Sequence, residues 1–81
     1  QIKIFPNPAY EFVKIITPQQ FNFNSISVSL INISGLIVKE TEIRSYETEV
    51  NVNLKGLPEG IYIIQLNNQK QTYTSKILIK K

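Results

Sequence analysis

The side chains of this chain that could take part in chemistry are few, and they form no catalytic pair. The sequence has no cysteine and no histidine, so Ser–His and Cys–His couples cannot form and a metal ion would find few ligands. Glu40 and Glu42 share a face of a predicted strand and could pair as acid and base, but charges on a solvated polar face account for them better. The acidic residues are all glutamates: Glu11, Glu40, Glu42, Glu47, Glu49 and Glu59. Because none of them has a catalytic partner, the sequence predicts no enzyme, no cofactor and no metal site.

The basic residues are the second chemical feature. Nine basic and six acidic residues give a net charge of +3, and most lysines are scattered along the chain. Nucleic-acid-binding proteins usually gather basic residues on one face and interleave them with aromatics, so no nucleic-acid partner is expected. The exception is the end "SKILIKK", which contains Lys76, Lys80 and Lys81. These lysines are either solvated charges that protect an edge strand or part of a C-terminal tag that a receptor recognises.

The elements that must position these residues are β-strands, because apolar and polar residues alternate with period two. The alternation slips by one residue after Leu30, as a bulge would cause, and Ile31 and Ile33 would then carry the apolar face. Short strands separated by a turn every ~8–12 residues predict an all-β, seven-stranded antiparallel immunoglobulin-like β-sandwich. The residues expected in its core are Val13, Ile15, Val28, Val50, Val52, Tyr62, Ile64, Leu66, Ile77 and Ile79.

The segment "KGLPEGIY", residues 55–62, combines turn residues with a tyrosine. Gly56 is expected to supply a positive φ where the preceding strand ends. Leu57-Pro58-Glu59-Gly60 fits a type I turn, with proline at the second position and glycine at the fourth. Tyr62 would then place its ring in the core and its hydroxyl on the backbone of the turn, like the tyrosine corner of immunoglobulin-like sandwiches.

Two further stretches contain prolines or aromatics. In "FPNPA", Pro6 and Pro8 hold the backbone rigid and Asn7 can turn the chain, which predicts a crossing between the first two strands. Phe21 and Phe23 are neighbouring aromatics that a sugar-binding module could expose, although they also fit a strand packed on the core.

The length of 81 residues predicts one domain, residues 1–81. No apolar run approaches the ~18 residues of a membrane-spanning helix. Because the first residue is Gln rather than Met, the chain is expected to be a piece of a longer polypeptide.

Taken in order, the motifs resemble the type A C-terminal sorting domain of type IX secretion, found in Bacteroidota. The resemblance covers nearly the whole chain. It consists of an aromatic-Pro-Asn-Pro opening at Phe5–Pro8, Gly-x-x-Val at Gly35–Val38, Leu-x-x-Gly-x-Tyr at Leu57–Tyr62 and a basic, isoleucine-rich end at Lys76–Lys81. Asn32 stands where many members carry Asp before the glycine turn, and Asn turns the chain equally well.

The resemblance implies that the domain is a secretion signal. Such a domain follows a cargo, passes the periplasm with it, is recognised by the outer-membrane translocon and is typically removed by a sortase, so that the cargo reaches the cell surface or the medium. The expected recognition element is Lys76, Ile77, Leu78, Ile79, Lys80 and Lys81. The family-motif residues with a structural role are Pro6, Asn7, Pro8, Gly35, Val38, Gly56, Leu57, Pro58, Gly60 and Tyr62.

Recognition could use the side chains or the backbone edge of the terminal strand. By alternation, Lys76, Leu78 and Lys80 point outward, and strand addition at the edge would suit a receptor. An edge strand could also pair with a second copy of the domain. The alternative function is an immunoglobulin- or fibronectin-like spacer or adhesion module of a secreted protein.

Overall fold

The computed structural model of the chain describes residues 1–18, 25–44 and 47–81. These residues form seven strands, which confirms the all-β class. The predicted aromatic pair Phe21 and Phe23 lies outside the described residues. The strands are β1 (Lys3–Phe5), β2 (Phe12–Ile16), β3 (Ile26–Ile31), β4 (Ile37–Ile43), β5 (Glu49–Asn53), β6 (Gly60–Asn67) and β7 (Thr72–Ile79).

The strands form two antiparallel sheets, consistent with an immunoglobulin-like sandwich. One sheet has the order β1-β2-β5 and the other has the order β4-β3-β6-β7. The β3–β4 register shifts between Leu30 and Ile31, which confirms the bulge that the slip in alternation predicts.

The core lies between the inner faces of the two sheets, where β-branched and leucine side chains pack on the pleats. Nine of the ten predicted core residues are buried, while Val50 is partly buried and packs against the others. The full buried cluster is Ala9, Val13, Ile15, Ile26, Val28, Leu30, Ile43, Val52, Leu54, Tyr62, Ile64, Leu66, Ile77 and Ile79.

The turn between β3 and β4 is organised by the side chain of Asn32. Its Oδ1 accepts the backbone N–H of Ser34 at 2.9 Å and of Leu36 at 3.0 Å, and Gly35 has a φ of 86°. Because the chain turns here, the prediction that Ile33 lies on the apolar face is wrong: Ile33 is 85% exposed at the tip of the turn.

The connection between β5 and β6 contains a turn that starts at Leu54. The hydrogen bond that closes this turn runs from Leu57 N–H to Leu54 O at 3.1 Å, and the chain bends again at Glu59, so the type I turn at residues 57–60 stays a prediction. The third position of the observed turn, Gly56, has a φ of 87°. That value confirms the predicted left-handed glycine, and Pro58 lies between this turn and the start of β6.

Candidate functional site

Strand β7 carries most of the residues expected to form the recognition element. Ile77 and Ile79 are buried in the core, as alternation predicts, whereas Lys76 and Lys80 are exposed. Leu78 is half-buried rather than fully exposed, because the backbone of another segment runs beside it. The strand therefore anchors through its isoleucines and presents its lysines to solvent.

The segment beside β7 is Asn7–Ala9, which we call the edge clamp. Asn7 Nδ2 donates to Lys76 O at 3.3 Å, and Leu78 N–H donates to Asn7 Oδ1 at 3.0 Å. Ala9 N–H donates to Leu78 O, and Lys80 N–H donates to Ala9 O, both at 2.8 Å. The side chain of Asn7 thus imitates a strand residue, and Ala9 then continues as a short parallel bridge to Ile79.

The edge clamp changes two expectations from the sequence. The "FPNPA" motif does link β1 to β2, but its asparagine bonds to the last strand, 69 to 71 residues further along the chain. The backbone edge of β7 between Lys76 and Lys80 is consequently occupied, so a receptor strand could be added there only by displacing the edge clamp. Covering an edge in this way also blocks unwanted pairing between molecules. The signal in the sequence was an asparagine between two prolines. Because the prolines have no backbone N–H, the side-chain amide of Asn7 can supply the hydrogen bonds that the backbone lacks there.

The connection between β5 and β6 supports the same end of the sandwich. The Tyr62 hydroxyl donates to Pro58 O at 2.6 Å, and the residue is only 5% exposed. This confirms the predicted tyrosine corner. From the same connection, Glu59 Oε1 accepts the backbone N–H of Lys81 at 3.1 Å. The last residue is therefore held next to a connection that the tyrosine itself fixes.

A groove of about 820 Å³ opens beside the end of the chain, and we call it the aromatic–lysine groove. Tyr10 is 57% exposed and Phe12 is 46% exposed, although large aromatic side chains are usually mostly buried. Tyr10 directly follows Ala9, whose parallel bridge to Ile79 places Tyr10 beside the end of β7. The lining residues are Tyr10, Glu11, Phe12, Asn51, Asn53, Lys55, Lys80 and Lys81.

Sequence reasoning missed the groove. The lysines at the end were predicted, but Tyr10 and Phe12 were not singled out. The one signal available was Phe12, which by alternation with the buried Val13 and Ile15 must point away from the core. The proximity of Tyr10 to Lys80 depends on the edge clamp, which joins opposite ends of the chain.

The groove has a basic character. Of the residues that the structure describes, none forms an ion pair with the ammonium groups of Lys55, Lys80 or Lys81. Glu11 is the acidic side chain in the lining. Three cations and one anion leave the groove able to attract a negatively charged partner.

A second exposed feature at the same end is the β3–β4 turn. Exposed apolar side chains gather there, including Val38 of the predicted Gly-x-x-Val motif. The positive φ of Gly35 accounts for the glycine of this motif, whereas Val38 is exposed and does not pack in the core. The exposed apolar residues are Ile33, Leu36, Ile37 and Val38.

The first residue lies at the opposite end of the sandwich. Lys3 pairs with Ile16, the last residue of β2, and Phe12 begins β2 beside the groove. Gln1 consequently lies near Pro18, with which it lines a separate groove. The longest dimension of the molecule is 34 Å, so the two termini are well separated.

In the described parts of the chain, no group of three or more acidic, histidine or cysteine side chains could hold a metal ion. Within the same residues, no helix has the length and hydropathy needed to cross a membrane. What the site offers is a fixed strand end, exposed lysines and two exposed aromatics.

The fold defines a small all-β domain of two antiparallel sheets, with exposed lysines and aromatics at one end. Comparison with protein families identifies it further. The family model described as "Secretion system C-terminal sorting domain" matches residues 3–80, and the chain belongs to this family. No curated protein matches the chain.

Family membership establishes the function in outline. The domain is a C-terminal sorting signal of type IX secretion, and the spacer or adhesion alternative is not favoured. The signal implies interaction with the type IX machinery, attachment to a cargo, and export across the outer membrane to the surface or the medium. The family is one of sorting signals and not of catalysts.

Proposed function

We propose that this chain is a non-catalytic address domain that follows its cargo through the periplasm and is read by the outer-membrane translocon through Lys76–Lys81. A sortase then removes the domain. Membership of the sorting-domain family supports the route. The strand-end geometry supports the choice of residues, and no cofactor or metal enters the proposal.

The observation that carries the proposal is the fixed position of Lys80 and Lys81. Lys80 is bonded through its backbone to Ala9, and Lys81 through its backbone to Glu59, while both side chains are exposed. Binding costs less when the recognised groups are already ordered. A receptor would therefore meet two lysines whose backbone positions are fixed rather than a flexible tail.

The separation of the termini supports the same proposal. A cargo joined before Gln1 would leave from the end that carries Pro18 and the β6–β7 turn. The recognised lysines lie at the other end, so a folded cargo would not cover them. If two copies of the domain pair through an edge strand, they must use an edge other than the clamped part of β7.

The experiment fuses residues 1–81 behind a signal peptide and a fluorescent reporter in a cell that has type IX secretion. The test variant changes Lys80→Glu and Lys81→Glu together. We expect the reporter to accumulate in the periplasm, because the recognised charge is reversed. The melting temperature should barely change, since exposed charges contribute only ~0–1 kcal/mol to stability.

The matched control changes Lys3→Glu and Lys39→Glu, which alters the net charge equally but away from the strand end. This control should be exported like the wild type. Surface delivery of the Lys80/Lys81 variant at the wild-type level would show that these lysines are only solvated edge charges. Deletion of Thr72–Lys81 is a less direct test, because it also removes a strand from the sheet.

A further inference from the structure

We infer that the aromatic–lysine groove is a docking surface for an acidic, extended protein segment of the export machinery that carries an apolar side chain. The inference rests on the proposed sorting function, and it extends the recognised surface to residues that are far from the C-terminal motif in the sequence. The added contact residues are Tyr10, Phe12 and Lys55. Recognition then involves a composite surface rather than the last strand alone.

The aromatics supply the anchor for an apolar side chain. Phe12 pairs across the sheet with Asn53, on the face opposite to the buried Val13 and Val52. Tyr10 lies in the same groove beside Lys80 and Lys81. Exposed aromatic rings at a concave surface are the side chains that most often carry binding energy between proteins.

The lysines supply the charge complementarity. The ammonium groups of Lys55, Lys80 and Lys81 line one groove and have no ion-pair partner among the described residues. Carboxylates on a partner could pair with them without first breaking an intramolecular bridge. A surface of this sign also speeds the approach of an acidic partner.

The shape of the lining fits an extended polypeptide. Asn51 and Asn53 are alternate residues of β5, so their side chains repeat along the groove at ~6.6 Å. β5 is the edge strand of its sheet. An extended segment that lies along it would present its own side chains with the same spacing. The Asn51 amide can donate to and accept from peptide groups, whereas Asn53 Oδ1 already accepts the backbone N–H of Lys55 at 2.8 Å and leaves its Nδ2 to donate.

The composition of the groove favours a protein over a phosphate-rich glycolipid. Glu11 places a carboxylate in the lining, and it would repel the dense negative charge of phosphate groups. A peptide with one or two carboxylates could keep these near the lysines and turn a backbone N–H toward Glu11. The mixed polar lining therefore matches an acidic peptide better than a polyanion.

The test uses the same reporter fusion with three single variants: Tyr10→Ser, Phe12→Ser and Lys55→Glu. Each should lower surface delivery by about tenfold, since loss of an interface anchor commonly weakens binding by that factor. The controls are Ile33→Ser, at an apolar side chain 85% exposed in the β3–β4 turn of the other sheet, and Lys3→Glu. Protease resistance of the periplasmic fusion checks that each variant is folded.

A photoreactive benzoylphenylalanine at position 10 then identifies the class of partner in living cells. We expect a protease-sensitive adduct with an outer-membrane export protein, and its yield should fall in the Lys55→Glu background. An adduct with lipopolysaccharide instead would overturn the assignment to a protein segment.

The outcomes separate the two proposals. If the wild-type fusion fails to leave the periplasm, the sorting function is refuted and the groove proposal falls with it. A second outcome is that the wild type is exported, the Lys80→Glu/Lys81→Glu variant stays in the periplasm, and the three groove variants are exported normally. In that case only the groove proposal is overturned. Reduced export of the groove variants together with normal export of both controls supports it.

Discussion

Replacing Asn7 with alanine tests whether the edge clamp orders the end of the chain. Asn7→Ala removes the bond from Nδ2 to Lys76 O, 3.3 Å, and the bond from Leu78 N–H to Oδ1, 3.0 Å. An intramolecular hydrogen bond contributes a net ~0.5–1.5 kcal/mol, and both bonds are near solvent, which can replace the lost partner. The expected loss of stability is therefore about 1–2 kcal/mol.

A loss of this size is measurable but leaves the domain folded, because the two backbone bonds of Ala9 and the core remain. For a domain of this length, 1 kcal/mol lowers the melting temperature by roughly 4–8 °C. Circular-dichroism melts should thus show a decrease of about 5–15 °C. A global melt alone does not locate the change, so a local measurement is needed.

Amide hydrogen exchange followed by NMR gives that local measurement. In Asn7→Ala the Leu78 amide should lose protection, since its acceptor is gone, while the Lys80 amide, bonded to Ala9 O, should lose less. Asn7→Asp is the matched control: it keeps the acceptor oxygen and lacks the donor. Its Leu78 amide should stay protected, and its melting temperature should fall by about half as much. Equal protection of Leu78 in the wild type and in Asn7→Ala would refute the clamp.

Two further predictions concern the turns. Tyr62→Ala should cost roughly 3–5 kcal/mol, as deletion of a buried aromatic usually does, whereas Tyr62→Phe should cost only the ~0.5–1.5 kcal/mol of the bond to Pro58; urea denaturation measures both, and an unchanged midpoint for the alanine variant would place the ring in solvent. Asn32→Ala should cost about 1–2 kcal/mol by removing the acceptor of two backbone N–H groups, while Asn32→Asp should melt near the wild type. An alanine variant at Asn32 as stable as the wild type would mean that Gly35 alone holds the turn.

Much of the fold could be predicted because its causes are local. Alternation with period two arises because each strand turns one face to the core, so the seven strands and nine of the fourteen buried residues follow from short windows of the sequence. The tyrosine corner is also local, since Tyr62 and Pro58 are four residues apart. Ile33 was misplaced because the alternation was continued past Asn32, whose side chain ends the strand by bonding the backbone of the turn.

The site could be predicted only in part, because its contacts are between distant parts of the chain. The lysines at the end are visible in the sequence, but their neighbours are not. Asn7 reaches β7, and Tyr10 reaches Lys80, only after β6 and β7 have paired and the two sheets have packed. No spacing rule along the chain connects residues so far apart, so the clamp and the groove had to be read from the structure.

Two of the family motifs share a physical task, which is to hold the last strand in place at one end of the sandwich. The Pro-Asn-Pro motif bonds the outer side of β7 through Asn7, and β6 bonds its inner side. The Leu-x-x-Gly-x-Tyr motif fixes the connection whose Glu59 holds the Lys81 amide. A signal that must be distinguished from unfolded polypeptide gains from such rigidity, because a flexible basic tail would bind any acidic surface while losing more conformational entropy. We therefore expect the order of the backbone at this end, rather than the lysine count, to determine the specificity of the strand end.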